Sequence, residues 1–162
     1  MTTDAELLAR AEARRRAGLP PLTLEERVLA LELAGTGGGG SSGPYVRGAT
    51  WPGGSSAVTV PADNVSVMCP LAGTITRATL LTEGGPGSCV VNVWRDAIGN
   101  FPPVAGDSIT GGTPPSITAG TYSADSTLTG WSKSVAAGDV LRFNLASCSA
   151  FTSVSIQIEI TP

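Results

Sequence analysis

The sequence predicts a mainly β protein, an antiparallel β-sandwich or jelly roll preceded by a short two-helix N-terminal arm. Three observations support this fold class. Residues 154–160 alternate Val or Ile with Ser, Gln or Glu, as expected of a strand with one face on a core. Residues 45–162 contain further short runs of β-forming residues, separated by Gly, Pro, Asp and Ser clusters, with no convincing helical pattern between them. A glycine- and serine-rich stretch at 35–44 separates this region from a helical N-terminal segment.

Residues 1–34 are predicted to form two short helices. In the second, Thr23 stands three residues before Glu26, which is the capping-box pattern, and Gly35 supplies the C-terminal stop. So short a segment cannot enclose a core of its own, so it should dock on the chain's own β domain, on other copies of the arm or on a different protein. The expected anchoring side chains form two apolar stripes on nearly opposite sides, Leu24, Val28 and Leu31 on one and Leu29 and Leu33 on the other.

Residues 35–44 form a tether of almost pure glycine and serine that closes at Pro44. A segment of this composition behaves as a flexible coil, with a root-mean-square span of about 17 Å for ten residues. It fixes no geometry between the parts that it joins, so we expect it to be the hinge of an attachment device. The predicted organisation is therefore a helical arm (1–34), a flexible tether (35–44) and a β domain (45–162).

The β domain is predicted to contain many short strands. The runs that carry this prediction are SAVTV at 56–60, VSVM at 65–68, TITRATLL at 74–81, CVVNVW at 89–94, VLRFNL at 140–145 and VSIQIEI at 154–160. A long interruption at 97–121 breaks this regularity and contains two Pro-Pro pairs. Loops of that length inside a domain are normally functional or packed against a partner. We therefore expect this segment to provide the main contact surface of the β domain.

The candidate contact residues combine the aromatic residues and prolines of this region. An exposed indole can stack on a sugar ring, although tryptophan more often packs in a core or an interface. The candidates for an oligomer or ligand contact are Trp94, Phe101, Pro102, Pro103, Pro114, Pro115 and Trp131.

The composition excludes several classes of function. The chain has 162 residues, 41% of them apolar, which is enough for the core of one ordinary domain. Ten basic residues against 13 acidic ones give a net charge of −3, and nucleic-acid binding is not expected because it depends on a basic face. The first thirty residues are charged throughout, and no apolar run approaches the roughly 20 residues of a membrane span. We expect no signal peptide, no membrane association and a chain made in the cytoplasm.

Few residues have the properties needed for catalysis or metal binding. Histidine is absent, which removes the commonest general base and metal ligand. The three cysteines, at positions 69, 89 and 148, are odd in number and lack metal-ligand spacing, which argues against a disulfide framework and a zinc site. Asp96, Asn100 and Asp107 bring calcium-type oxygen ligands into one loop, but their spacing matches no defined site and is also that of solvated turn residues. We expect no enzymatic activity, no cofactor and no bound metal.

Residues from about Gly73 onward resemble a module that recurs in tailed-phage virion proteins, notably tail-fibre and head-fibre proteins. The segments that carry the resemblance are GTITRATLLTEGGPGSCVVNVWRDAIGNFPP, DSITGG, PPSI, STLTGW and AAGDVLRFNL, and they cover roughly 90 of the 162 residues. The resemblance implies a non-enzymatic β-sandwich displayed on a virus particle, often as a homotrimer. It transfers no catalytic residues, since the pattern positions read as structural: Trp94, Asp96, Pro102, Pro103, Trp131, Gly138 and Asp139.

The chain departs from the fibre pattern because only the tether lies between the arm and the domain, whereas long tail fibres carry shaft repeats or coiled coils. This departure favours a small capsid-decoration or head-fibre protein at the virion surface, whose arm binds another virion protein. Two alternatives remain open. One is a short tail fibre or receptor-binding tip, and the other is a carbohydrate-binding module. A host glycan is a candidate ligand in either alternative.

Overall fold

The structure is a computed structural model that describes residues 43–162. The predicted helices, the anchoring positions Leu24, Val28, Leu29, Leu31 and Leu33, and most of the tether lie outside the described residues. Within the described part, two single-turn 3-10 helices (Ile98–Asn100 and Ala105–Asp107) are the only helical segments. The seven strands are β1 (Tyr45–Pro52), β2 (Val65–Met68), β3 (Gly73–Ala97), β4 (Ser116–Ile117), β5 (Tyr122–Asp125), β6 (Ser134–Val135) and β7 (Asp139–Thr161).

Two long strands, β3 and β7, form the central ribbon of the sheet. They pair antiparallel from Thr74 opposite Thr161 to Ala97 opposite Asp139. On the outer edge of β7, β1 pairs with its C-terminal half and β2 with its N-terminal half. On the outer edge of β3 lie β4, β5 and β6. All of these pairings are antiparallel, so the expected mainly β, antiparallel architecture is confirmed in one seven-stranded sheet.

Several strand predictions were wrong in their bounds. The runs 74–81 and 89–94 belong to one continuous strand, as do 140–145 and 154–160, because pairing resumes across the stretches between them, with Gly84 opposite Phe151 and Ser88 opposite Ser149. The run 56–60 is not a strand. It follows a turn centred on Gly54–Ser55, and its contact with the ribbon includes a hydrogen bond from Val58 N to Phe151 O, at 2.8 Å. The run 65–68 is β2, as predicted.

The ribbon is irregular between its two halves. Register shifts occur on both sides of Gly84, and Ala150 on the opposite strand adopts a positive φ of 64°. Gly84 also has a positive φ, of 108°, a conformation that glycine adopts without a steric penalty. A side chain at Gly87 would overlap the carbonyl oxygen of Ser149. The glycines of the EGGPGS stretch therefore let β3 stay close to β7 where the ribbon changes register.

A single hydrophobic core contains residues from both halves of the ribbon. The predicted alternation of β7 is confirmed, since Val154, Ile156, Ile158 and Ile160 are buried. Nearer the start of the same strand, the largest buried side chains are those of Leu141, Phe143, Leu145 and Phe151. Burial of such side chains removes apolar area from water at roughly 25 cal/mol per Å², so the two long strands carry much of the stability of this domain.

Segment 97–121, predicted to be a loop, contains the two 3-10 turns, β4 and an isolated bridge between Trp94 and Ser108. It is tied to the edge of β3 by backbone hydrogen bonds from Ile109 N to Val93 O (3.1 Å) and from Val91 N to Pro115 O (3.0 Å). Ile109 and Ile117 are buried in the core. Part of this segment therefore completes the domain, and the rest forms its surface.

Candidate functional site

The structure divides the predicted contact residues between two places. Pro114, Pro115 and Trp131 line one shallow groove, in which the other lining residues are Ala78, Thr113, Ser116, Ser123 and Asp125. The remaining candidates, Trp94, Phe101, Pro102 and Pro103, are absent from that lining. Trp94 lies near the end of β3, and the other three follow the first 3-10 turn, Ile98–Asn100.

The groove lies beside the pairing of β3 with β5, where Ala78 is opposite Asp125. Its volume is about 190 Å³. The ring of Trp131 is only 8% exposed, and its Nε1–H donates to the carbonyl oxygen of Thr113 at 3.2 Å. The indole therefore forms part of the groove wall and its N–H group is already paired.

Local hydrogen bonds fix the two segments that form the groove. The hydroxyl of Thr113 lies 2.8 Å from the carbonyl oxygen of Thr110 and 2.9 Å from that of Thr129, so it joins the segment before Pro114 to the turn before Trp131. Asp125 Oδ1 accepts from the backbone N–H groups of Thr127 (2.8 Å) and Leu128 (3.1 Å). These bonds hold the aspartate side chain in one orientation.

The groove combines apolar and polar groups in a small space. The two proline rings and the indole edge supply apolar contacts, while the hydroxyls of Ser116 and Ser123 and the carboxylate of Asp125 supply polar ones. Binding sites for small polar ligands have this mixture, with a few polar groups that fix the orientation. At about 190 Å³ the groove is smaller than the roughly 300–1,000 Å³ of typical small-molecule sites, which limits any ligand to about the size of one sugar ring.

Trp94 is held within the ribbon end and contacts a neighbouring arginine. Arg142, its cross-strand partner, places its guanidinium carbon 5.8 Å from the centre of the indole ring. The same guanidinium donates from Nη1 to the carbonyl oxygen of Pro103 at 2.9 Å. Trp94 and Pro103 are thus joined through Arg142, and Pro103 is buried.

Three apolar side chains on this segment are exposed to solvent, and we call them the loop patch: Ile98 (57% exposed), Phe101 (55%) and Val104 (55%). The two 3-10 turns hold them in place, with Phe101 N donating to Ile98 O (3.2 Å) and Val104 N donating to Asp107 Oδ2 (2.8 Å). All three lie within residues 98–104, and exposed apolar side chains that form one contiguous patch are typical of interaction surfaces.

The candidate calcium ligands take separate roles in the turns. Asp96 Oδ1 accepts from Ala97 N (2.7 Å) and from the side-chain amide of Asn100 (3.1 Å). Asp107 accepts from Val104 N instead. Across residues 43–162, no three His, Cys, Asp or Glu side chains are grouped closely enough to hold a metal ion. The same residues include no helix long and apolar enough to cross a membrane.

One charged pair is largely buried. Asp139, 6% exposed, accepts from Arg95 Nη1 at 2.8 Å and from the backbone N–H of Ala136 at 2.9 Å. The arginine side chain is 28% exposed. This pair fixes the turn that leads into β7, and its contacts are structural.

Sequence reasoning missed most of the residues that line the groove and two of the three in the loop patch. Ser116, Ser123 and Asp125 were not singled out because single polar residues between strand signals look like ordinary turn chemistry. Ile98 and Val104 were missed because isolated aliphatic residues in a loop show no periodicity. The one available signal was their position, since both flank the aromatic residue and prolines that were selected.

Comparisons with known proteins show limited similarity. No family model matches the chain, and no curated protein sequence matches it. Among solved structures, the chain is similar to infectious bursal disease virus, Gx strain, with 11% identity and a TM-score of 0.29, covering 75% of this chain and 33% of that chain. It is also similar to the cyanophage Pam1 capsid asymmetric unit, with 20% identity and a TM-score of 0.31, covering 77% and 91% of the two chains.

A third similarity, to RmlC from Streptococcus suis in complex with dTDP-D-xylose, has 11% identity and a TM-score of 0.23, covering 70% of this chain and 43% of that chain. The chain spans about a third of the length of the infectious bursal disease virus chain that it matches. Two of these three structures come from virus particles. Similarity of this size assigns the chain to no family.

Proposed function

We propose that this chain is a structural protein of a phage particle, a capsid-decoration or head-fibre protein made in the host cytoplasm and carried on the virion surface. Residues 1–34 bind another virion protein, and the β domain projects from the particle. The observation that carries the proposal is the sequence resemblance to the phage virion module, in which the pattern positions act as supports of the fold.

Several of those pattern positions have structural contacts in the described residues. Trp131 donates to Thr113 O, and Pro103 accepts from Arg142. Gly138 adopts a φ of +87° in the turn before β7, and Asp139 bonds to Arg95 and Ala136. Residues that recur in a module because its turns need them carry no reaction, and this supports a display role without catalysis.

The proposal includes a two-layered form of the sheet, a sandwich or jelly roll. β1, β5 and β6 pair with one half of the ribbon, while β2 and β4 pair with the other half. The register shifts near Gly84 lie between these halves. Ile75 and Leu80 from the first half and Val93 and Phe143 from the second belong to one core, as they would if the ribbon folded over on itself.

Particle incorporation tests the proposal directly. Phage particles lacking the chain would be supplied with the intact chain, with a chain lacking residues 1–34, or with the double variant Leu24→Asp and Leu31→Asp. We expect only the intact chain to load fully, because loss of two leucine contacts costs several kcal/mol at about 25 cal/mol per Å². Full loading of the truncated chain would remove the arm as the anchor. Cryo-EM density on the shell, neck or tail would then give the location.

The groove favours a second candidate function, a receptor-binding tip or carbohydrate-binding module that holds a host glycan. Its proline and indole surfaces, together with Ser116, Ser123 and Asp125, match the mixed polarity of a sugar. The intact chain would be applied to a glycan array beside Ser116→Tyr, which fills the groove, and Thr118→Tyr, a neighbouring exposed control. Binding that Ser116→Tyr abolishes and Thr118→Tyr retains would support this candidate. Equal binding by all three would reject the groove as the site.

A further inference from the structure

Two of the three free cysteines face each other across the central ribbon. Cys89 on β3 and Cys148 on β7 are direct partners in the antiparallel register. Direct partners carry their side chains on the same face of the sheet, with the side chains in contact range. The third cysteine, Cys69, lies between β2 and β3, outside the strands, and is buried.

The direction of the backbone hydrogen bonds along β3 indicates how close the two cysteines lie. Val91 N donates to Pro115 O, and Val93 O accepts from Ile109 N, so both residues direct their backbone groups away from β7. Alternate residues of a strand share that direction, and Cys89 accordingly pairs with Ile117 on the same outer side. Cys89 and Cys148 are therefore a non-hydrogen-bonded pair. Cα atoms in such pairs are about 4.5 Å apart, within the roughly 4.4–6.8 Å that disulfides span.

Solvent reaches only one of the two thiols. Cys89 is fully buried, with no exposed surface, whereas Cys148 is partly exposed. Register shifts between Gly84 and Ser88 and between Val90 and Val91 flank the pair. The backbone on both sides of the pair thus departs from regular pairing, and it can accommodate the small adjustments that a covalent link requires.

We propose that Cys89 and Cys148 form a redox modification site that takes a small soluble disulfide, such as glutathione disulfide, as its oxidant. The Cys148 thiolate attacks one sulfur of that disulfide, forming a mixed disulfide and releasing one glutathione thiolate. The Cys89 thiolate then attacks Sγ of Cys148 and releases the second. Two cysteine thiols lose two electrons and two protons, and glutathione disulfide becomes two glutathione thiols. The product links β3 to β7 within one chain.

Burial sets the pH range of this reaction. It raises the pKa of Cys89 to about 11, with a further contribution from the neighbouring Cys148, and it raises the pKa of Cys148 as well. Because the thiolate is the attacking species, the exchange is slow at neutral pH and accelerates as the pH rises. The reducing glutathione pool of the cytoplasm keeps both thiols reduced there, and outside it the slow exchange at neutral pH makes the link form gradually.

The experiment uses the full reduced chain in glutathione redox buffers at pH 8.5, quenched with acid and mapped by alkylation and mass spectrometry. We expect the peptides of Cys89 and Cys148 to become linked with loss of two hydrogens, while Cys69 stays alkylatable after unfolding. The folded chain should reach half oxidation at a glutathione disulfide level about tenfold or more below that of the same chain in guanidinium, because folding holds the thiols together.

Single variants separate the two steps. Cys89→Ala should stop at a glutathione adduct on Cys148, Cys148→Ala should form no intramolecular link, and Cys69→Ala should behave as the intact chain does. If circular dichroism shows that Cys89→Ala does not fold, the test rests on the disulfide maps of the intact chain and of Cys148→Ala. A folded chain that keeps only the mixed disulfide, that links Cys69 instead, or that oxidises no more readily than the unfolded chain overturns the proposal.

Discussion

Asp139 is a nearly buried acidic residue at the start of β7. Its carboxylate is nearly buried and accepts two hydrogen bonds, one from the charged guanidinium of Arg95 and one from the backbone of Ala136. Hydrogen bonds to a charged partner contribute about 1.5–3 kcal/mol, and a partner left unpaired adds its desolvation cost. Gly138 and the hydrogen bonds that Asp139 accepts together fix the turn that leads into β7.

We predict that Asp139→Asn lowers the free energy of unfolding by about 2–3 kcal/mol, measured by urea denaturation. Glu159→Gln is the matched control. Glu159 lies 3.9 Å from Arg77, and their side chains are 34% and 55% exposed, so losing this pair should cost no more than about 0.5 kcal/mol. Equal effects of the two substitutions would show that Asp139 does not depend on its buried partners.

The buried thiols give the stability of the reduced protein an alkaline limit. Burial raises the pKa of Cys89 to about 11 from an ordinary value of 9.0, and burial also raises the pKa values of Cys69 and Cys148. The unfolded chain loses these protons at lower pH than the folded chain does. The contribution of each thiol is therefore complete below about pH 9 and is lost as the pH rises towards the folded pKa.

We predict that the free energy of unfolding, measured in a reducing buffer, falls more between pH 8 and pH 11 in the intact chain than in Cys89→Ala. The variant should be less stable at pH 8, because it loses packing, but its stability should depend less on pH. Parallel pH profiles for the two proteins would contradict the assignment of a raised pKa to Cys89.

At the level of elements, the contact between Gly111 and Gly130 joins the segment before β4 to the turn that carries Trp131. Gly111 has a φ of +58°, and a side chain there would overlap the carbonyl oxygen of Gly130. Gly112, its neighbour, has a φ of +84°, but a side chain there would meet nothing within 4 Å. Both positions therefore require a left-handed backbone conformation, but only Gly111 lies too close to a neighbouring atom to accept a side chain.

We predict that Gly112→Ala lowers the free energy of unfolding by about 1–2 kcal/mol, the cost of a left-handed conformation, and that Gly111→Ala lowers it by at least about 2 kcal/mol more. Hydrogen exchange should also show Gly111→Ala opening the backbone near Thr113 and Trp131, whereas Gly112→Ala should leave exchange there unchanged. Similar losses for both variants would mean that the approach of Gly111 to Gly130 is not tightly constrained.

The elements that could be predicted from sequence were those defined by a local pattern. The alternation at 154–160 identified a strand because one face of β7 lies on the core. The run 56–60 has the same β-forming composition, but it runs beside Phe151 without a continuous partner and forms no strand. The stretch EGGPGS looked like a turn, yet it stays within β3 because Gly84 and Gly87 fit the irregular ribbon. Pairing between distant segments decides whether such stretches form a strand, and this pairing cannot be predicted from a local sequence pattern.

The residues of the candidate surfaces could likewise be predicted only where a local signal, the residue type, was enough. Residue type alone selected Trp131 and the prolines of the groove, and also Trp94 and Phe101. The serines and the aspartate that complete the groove come together only through the pairing of β3 with β5. The alignment of Cys89 with Cys148 likewise depends on pairing between residues 59 positions apart in the sequence, near a bulge that sequence does not reveal.

At the scale of the whole molecule, the loop patch is our candidate surface for self-association of the β domain. Ile98, Phe101 and Val104 are each more than half exposed, and the 3-10 turns hold them in a defined arrangement. Ordered apolar side chains lose little entropy on docking, and aromatic anchors contribute most of the energy in many interfaces. We expect a homo-oligomer, with a trimer favoured, in which this patch contacts neighbouring copies.

We predict that the intact chain sediments as an oligomer and that Phe101→Asp weakens the association roughly thirtyfold or more, because loss of an aromatic anchor costs about 2 kcal/mol or more and the charge must be desolvated. Tyr122→Asp is the matched control, since Tyr122 is an aromatic residue that is 72% exposed on β5, which pairs with the first half of β3. Circular dichroism would establish that both variants remain folded. If the intact chain is monomeric at high concentration, the patch has no role in self-association. If Tyr122→Asp dissociates the oligomer while Phe101→Asp does not, the interface lies on the β5 side of the domain instead.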